Sequence, residues 1–214
     1  MTPLETQFKE AKPGDVGIIG DPVQHSLSPL FQNAAFQTWW GAFRDRDEKT
    51  PFYHRFHVPA SDLSKAIKLA RKYQLRGLNV TIPHKETVLN LVDTLDRGAE
   101  ELGVVNTLFW SDGKLKGFNT DVDGIRRSLE RELDFDSEGK TVLVLGAGGT
   151  GRVFVYQLVL QGAKRVFVWN RNTERLKNFA DLKKNNPDVV HFIETDVELM
   201  RLVKEVDLIV NATS

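Results

Sequence analysis

The chain of 214 residues carries 29 basic and 29 acidic side chains, so its formal net charge is zero. That balance argues against a nucleic-acid or anionic-membrane surface, both of which select a basic excess. No cysteine is present, which excludes disulfides and thiolate chemistry, and no apolar run reaches membrane length. The amino terminus is polar and lacks a signal-peptide core, so a cytoplasmic protein is the default expectation.

VGIIG at 16–20 reads as a short apolar strand, closed by DPVQHSLSP. Next, PLFQNAAFQTWW predicts a helix over about 29–40, with Leu30, Phe31, Ala34, Ala35 and Thr38 at helical spacing. Phe36, Trp39 and Trp40 widen its apolar face, and the two tryptophans read as core or interface residues. GAFRDRDEKT is a charged loop and PFYHRFHV a second strand. A helix is predicted over 61–73: Ser61 can cap it, and Leu63, Ala66, Ile67, Ala70 and Tyr73 recur at helical spacing. Over 78–82, Leu78, Val80 and Ile82 alternate with polar residues, as in a half-buried strand. Pro83 ends that strand because it cannot donate to a ladder. Lys85 therefore stands on a rigid turn at a strand's carboxyl end, a mounting that suits a reacting lysine. A solvated surface lysine is the competing reading of this stretch taken alone. TVLNLVDTLDRGAEEL predicts one helix, and GVVNTLFW-SDG-KLKGFNTD a hairpin turning at Asp112-Gly113. The alternation of strand and helix predicts an α/β layer.

After the polar linker DFDSEGK, TVLVL at 141–145 is an apolar run of the kind found in strands buried on both faces. GAGGTGR follows, then an apolar helix over 152–160 and strand RVFVWN at 165–170. A charged helix over about 173–184, strand VVHFI, helix DVELMRLVKEV and strand DLIVN complete the pattern. This β-α-β-α-β-α-β order is the front of a doubly wound parallel sheet. Gly146, Gly148 and Gly151 form G-x-G-x-x-G between strand and helix. There glycine lets the backbone approach a pyrophosphate, and the helix start supplies free N–H groups. A tight strand-to-helix turn is the plainer alternative. An NAD-preferring site usually ends its second strand in an acid. Here the chain has Asn170, Arg171 and Arg175 in NRNTER, and two guanidinium groups suit the 2′-phosphate of NADP. Ser26 and Ser28 in HSLSP sit at a helix start, as caps or as ligands for a carboxylate. His25 is given no role, and no metal-ligating set is identified.

In order and spacing, HSLSP, NVTIPHK, GVVNT, GFNTD, GAGGTGR, NR and NATS resemble the motifs of the shikimate dehydrogenase family, from Val16 to Ser214. The resemblance implies an α/β substrate domain over 1–120, a linking helix and linker over 121–137, and an NADP-binding Rossmann domain over 138–214. The implied active site is the cleft between them. By matching motif, Ser26 and Ser28 would bind the substrate carboxylate, and Thr81 and Asn106 the ring hydroxyls. Lys85 and Asp121 would be the catalytic pair, although Asp121 also reads as a helix cap in NTDVDG. Gly146, Ala147, Gly148, Gly149, Thr150, Gly151 and Arg152 would lie at the pyrophosphate. Asn170, Arg171 and Arg175 would meet the ribose phosphate, and Asn211, Ala212 and Thr213 would line the cofactor cleft.

The activity so implied is NADP-dependent interconversion of 3-dehydroshikimate and shikimate, on the route to aromatic amino acids, by a monomer or homodimer. A quinate/shikimate dehydrogenase that also uses NAD, and a truncated non-catalytic ligand-binding relative, are the alternatives. Two departures stand out. The arginine motif reads Asn170-Arg171-Asn172, where the family has Asn-Arg-Thr. The chain also closes at NATS, the tip of the fourth strand of a Rossmann sheet incomplete at its carboxyl end. The family continues with further strands, a glutamine that contacts substrate and a helix returning to the first domain. A piece of a longer protein, or a shortened relative, is therefore expected.

Overall fold

Residues 3–43 and 49–213 are described by the computed structural model, and they divide into two units, Met1–Asn119 and Thr120–Ser214. The first unit opens with a helix that the sequence reading does not anticipate, α1 (Leu4–Lys9). Leu4 and Phe8 stand one turn apart and are both buried, and the Phe8 ring stacks on Phe56 with centroids 4.1 Å apart. Strand β1 (Val16–Gly20) follows as predicted.

Helix α2 (Ser28–Phe43) runs past the expected end into what reads as loop, and it is turned the other way. Leu30 and Phe31 from the predicted inner face are 73% and 55% exposed, while Gln32, Asn33 and Phe36 are half-buried. Polar anchoring decides the rotation. The Asn33 amide donates to the Tyr53 carbonyl at 3.0 Å and accepts from the Tyr53 N–H at 2.7 Å, and Phe36 packs beside Ile18, Val23 and Tyr53. A helix apolar on both sides lets such a clamp choose its face. Trp39 is 63% exposed, so of its two readings, core or interface, the core one does not hold. The Trp40 side chain and the charged stretch 44–48 lie outside the described residues.

Strand β2 (Tyr53–His57) leads through a 3-10 turn at Ala60–Asp62 into α3 (Leu63–Lys72), so Ser61 sits in that turn and caps nothing. Leu63, Ala66, Ile67 and Ala70 are buried, as the spacing predicts. Strand β3 (Gly77–Val80) stops two residues earlier than expected. The predicted helix over 87–102 is instead a 3-10 turn at Thr87–Leu91, a short strand β4 (Thr94–Leu95) and helix α4 (Arg97–Leu102). Two aspartates break it. The Asp93 carboxylate accepts from the Leu115 N–H at 2.7 Å, and Asp96 accepts from Ala99 N at 3.0 Å as the cap of α4. Aspartate side chains that bond backbone in this way compete with helix propagation. The hairpin β5 (Thr107–Ser111) and β6 (Lys114–Phe118) forms as read, with positive φ at Asp112 and Gly113. The six strands lie in the order β2-β1-β3-β5-β6-β4; β2, β1 and β3 run parallel, and β5 runs antiparallel to both neighbours.

In the second unit, α5 (Asp121–Glu132) packs on α6 (Gly149–Leu160), which follows β7 (Thr141–Leu145). Val142, Leu143 and Val144 are fully buried, as an unbroken apolar run requires in a sheet covered on both faces. Strand β8 (Arg165–Trp169) leads into a 3-10 stretch at Thr173–Phe179 and only then a short helix, α7 (Ala180–Asn185), where one helix is predicted. Strand β9 (Val190–Ile193), helix α8 (Asp196–Leu202) and strand β10 (Leu208–Asn211) complete a four-stranded parallel sheet in the order β10-β7-β8-β9. This is the α/β arrangement with a doubly wound parallel sheet that the periodicity predicts. Two glycines hold its first turn. Gly146 has φ +112°, and a Cβ on Gly151 would stand 2.1 Å from the Gly146 carbonyl oxygen.

Phe8→Ala should cost about 3–5 kcal/mol, the usual loss for a buried phenylalanine, read from urea unfolding. An unchanged midpoint would show that α1 is not integral to the first unit. Gly151→Ala should cost about 1–3 kcal/mol by overpacking backbone against backbone, with a fall in the thermal midpoint as the readout.

Candidate active site

In the first unit the residues singled out from the sequence gather at one end of the sheet. β1 and β3 are parallel neighbours, and Ser26 and Ser28 follow β1 while Thr81 and Lys85 follow β3. β5 runs antiparallel to β3, with Asn79 opposite Thr107, so Asn106 at its start lies beside the end of β3. Val80 N donates to the Asn106 carbonyl at 2.7 Å. The outside of strand carboxyl ends is where open α/β sheets bind ligands.

Ser26 and Ser28 form a small turn at the start of α2. The Ser28 N–H donates to Ser26 Oγ at 3.3 Å, and Arg55 holds the Ser26 carbonyl at 2.6 Å. Thr81 is tied to β1 by its N–H to the Ile19 carbonyl at 3.0 Å. The turn that carries Lys85 is held by more than its proline. His84 is 1% exposed and its Nε2 bonds the Val58 carbonyl at 2.7 Å, while its N–H donates to the Thr81 carbonyl at 2.9 Å. The Lys85 carbonyl accepts from Val105 N at 2.8 Å, and its side chain is half-buried. A lysine so mounted has its backbone fixed on both sides. Asp121 belongs to the second unit, as the first residue of α5 and thus one place past the cap, where a carboxylate favours the helix dipole.

Sequence reasoning passes over three polar side chains that sit among these residues. Tyr53 is 3% exposed, and its hydroxyl donates to Asn79 Oδ1 at 2.7 Å. Burial pushes the phenol up to about 12, with the Ser28 side chain opposing that rise. Asn79 Nδ2 donates to Thr107 Oγ1 at 3.1 Å, and the Thr107 hydroxyl to Asn106 Oδ1 at 2.9 Å. A lone asparagine between Leu78 and Val80 is the only sequence trace of this chain, and in a half-buried strand it reads as solvated.

The second unit holds a cavity of about 690 Å³ over the glycine turn. It is lined by Gly146 to Thr150, by Asn170, Arg171 and Arg175, and by Ala212 and Thr213, all expected there. Trp169 and Asn172 line it too and were not foreseen as site residues. A Cβ on Gly148 or Gly149 would meet nothing within 4 Å, so these glycines leave an open backbone cradle at the start of α6. Arg171 and Arg175 are exposed at its rim, where they supply cationic donors for a phosphate. Bare glycine backbone, a helix start and two arginines together suit a phosphorylated dinucleotide.

Three expected cofactor residues stand off the cavity lining. Gly151 is spent on packing, and Asn211 Oδ1 accepts from the Thr213 N–H at 3.1 Å, ordering the loop after β10. Arg152 makes a two-pronged bond to Asp181, at 2.8 and 2.5 Å, which holds the Asp181 carboxyl below the usual carboxylate range. Asn170 lines the cavity, but its amide is committed to the backbone: Oδ1 accepts from Ala147 N at 3.0 Å, and Nδ2 donates to the Asn172 carbonyl at 2.8 Å. It therefore stitches the glycine turn to the arginine loop. Asn172, the departure from the family motif, accepts from Glu174 N at 3.1 Å and caps the 3-10 stretch that bears Arg175.

Comparison with known proteins covers both units. Residues 18–108 match the shikimate dehydrogenase substrate binding domain, and residues 128–214 match shikimate / quinate 5-dehydrogenase. A shikimate dehydrogenase (NADP(+)) of Methanopyrus kandleri is 41% identical over 206 residues, covering 95% of this chain and 68% of that protein. The crystal structure of shikimate dehydrogenase from Aquifex aeolicus superposes with a TM-score of 0.80 at 36% identity, over 94% of this chain and 69% of that one. Shikimate 5-dehydrogenase from Listeria monocytogenes, solved in complex with shikimate and NAD, gives 0.82 at 31% identity over 94% and 68%. This chain, about two thirds as long as those relatives, belongs to the shikimate dehydrogenase family.

Proposed function

We propose that this protein is an NADP-dependent oxidoreductase that interconverts 3-dehydroshikimate and shikimate. The observation that carries the reading is the Lys85 turn, braced by His84 and Val105 beside Thr81 and Asn106 at the carboxyl end of β3. We assign substrate binding to residues 1–120, cofactor binding to residues 138–214, and a linking role to 121–137, which carries α5. The same reading carries a cytoplasmic monomer or homodimer that acts on a small-molecule substrate.

Bound NADPH supplies the hydride. The residues of the chain do the rest. Ser26 and Ser28 offer hydroxyl donors to the substrate carboxylate, and Thr81 and Asn106 bond the ring hydroxyls. The Lys85 ammonium faces the carbonyl oxygen, stabilises the negative charge that gathers there and delivers the proton to it. Asp121, in the NTD motif, is assigned as the second catalytic residue. Gly146, Ala147, Gly148, Gly149 and Thr150 form the cradle for the pyrophosphate. Arg171 and Arg175 read the 2′-phosphate, while Asn170, Gly151 and Asn211 shape the loops around them. Arg152 is held away by Asp181 and steadies the start of α6 against Asn178 and Asp181.

The deciding assay is reduction of NADP+ and of NAD+ with shikimate and with quinate, and shikimate with NADP+ should be the preferred pair. Equal use of quinate and NAD+ would favour the quinate/shikimate reading, and binding of shikimate without turnover the non-catalytic one. Lys85→Ala should lower turnover about 10²–10⁴-fold, the range for a positioned acid, with little change in the KM for shikimate. If that variant only weakens substrate binding, Lys85 is a hydroxyl ligand. Replacing Arg171 and Arg175 together by alanine should raise the KM for NADP+ by about tenfold or more per arginine and leave that for NAD+ nearly unchanged. Equal losses would show that neither arginine reads the phosphate.

A further inference from the structure

Two side chains of β2 reach the loop that carries Ser26 and Ser28. Tyr53, Arg55 and His57 alternate with His54 and Phe56, so they share one face of the strand. His57 Nε2 bonds Asp21 Oδ1 at 2.8 Å, where the loop begins, and Arg55 Nη2 donates to the Ser26 carbonyl at 2.6 Å, near its end. The one acid in the sequence 21–28, Asp21, is thus turned to the histidine and not to the arginine. A guanidinium has five N–H donors in a planar fork, and the Ser26 carbonyl is bonded by one of its nitrogens. Arg55 is exposed, and no carboxylate among the described residues pairs with it. Arg97, Arg126, Arg127 and Arg152, by contrast, each have a carboxylate at 2.5 to 2.8 Å. Ser26 is itself well ordered: its N–H donates to the Val23 carbonyl at 3.1 Å, and its Oγ accepts from the Ser28 N–H at 3.3 Å. A cation that no described acid neutralises is therefore pinned to the backbone of a turn whose two hydroxyls are uncharged.

We propose that Arg55 is a specificity-determining residue, which supplies the positive charge that selects an anionic group on the substrate at the Ser26 turn. The proposal rests on the assignment of Ser26 and Ser28 to the substrate carboxylate. Hydroxyl donors alone separate a carboxylate poorly from an uncharged ester, because both offer oxygen acceptors. A guanidinium beside them separates the two, since its Coulomb attraction acts on the anion and not on the ester. Lys85 is not available for this task, because the proposed function places its ammonium at the carbonyl oxygen. The bond to the Ser26 carbonyl also holds the guanidinium in position before substrate arrives, so less side-chain freedom is lost on binding.

The test compares the Kd of shikimate with that of its uncharged methyl ester, on the unmodified protein and on Arg55→Gln. The variant should bind shikimate about tenfold more weakly, the low end for a charge-assisted contact because Arg55 is exposed. Its Kd for the ester should be nearly unchanged, as should kcat and the KM for NADP+. Arg55→Lys, which keeps the charge, should recover most of the loss. Added salt should weaken shikimate binding less in Arg55→Gln than in the unmodified protein, since screening acts on a charge the variant lacks. Equal losses for the acid and the ester would overturn the proposal and leave Arg55 a brace for the Ser26 carbonyl. Unchanged Kd values for both would overturn it as well. Should Arg55→Gln not fold, Arg55→Met is the second neutral variant, and the same comparison decides. Failure of the unmodified protein to bind shikimate, or to prefer it to the ester, would overturn the carboxylate assignment itself, an outcome separate from any difference between variants.

Discussion

The reversal of β5 against β3 is the constraint on which the first half-site depends. A fourth parallel strand would begin at the far end of the sheet. By running antiparallel, with Asn79 opposite Thr107, β5 starts where β3 stops and brings Asn106 beside Thr81 and Lys85. The ladder then does what side chains alone could not: Val80 N and the Asn106 carbonyl, and Val105 N and the Lys85 carbonyl, lock the strand ends together through backbone bonds. Polar side chains placed on that frame lose little further entropy on binding, which is why recognition groups on rigid elements are effective. His84, buried under the turn with its ring on the Val58 carbonyl, adds a second brace from the residue that follows β2.

The second unit solves a different problem with fewer parts. Its sheet is parallel throughout, so the chain must leave each strand over a short loop into a crossover. The first loop packs backbone on backbone at Gly146 and Gly151, and the space so gained is left open at Gly148 and Gly149. Asn170 then fastens this loop to the one carrying the arginines, so the polar edge of the cavity is a single hydrogen-bonded piece. Arg152, for all its position in the motif, is neutralised by Asp181 and serves the scaffold. A motif thus identifies the loop more securely than it identifies what each of its side chains touches.

Most of the α/β plan was legible because strand and helix leave different periods in the chain. The buried run at 141–145, the alternation at 78–80 and the Asp112-Gly113 turn each specify a local conformation that packing had no reason to override. The misreadings have equally local causes. α1 exposes too few apolar positions to announce itself, since only Leu4 and Phe8 are buried in it. α2 carries apolar residues on both sides, so periodicity could not say which face turns inward, and the Asn33 clamp on β2 made the choice. The stretch at 87–102 has helical spacing, but Asp93 and Asp96 bond to the β6 strand and its exit instead.

The sequence by itself determined the layered α/β class, the glycine turn, the absence of an acid after the second parallel strand, and the motif residues of each half-site. These depend on residue type and spacing along the chain, and both are visible without coordinates. Tertiary structure alone decided the roles within the set: that His84 and Val105 brace Lys85, that Asn170 and Asn211 order loops, and that Arg152 pairs with Asp181. It alone joined Tyr53 to Asn79 and Thr107. Those partners stand 26 and 28 residues apart and meet only through strand register, and a hydrogen bond is decided by a few tenths of an ångström between atoms that the order of residues does not bring together.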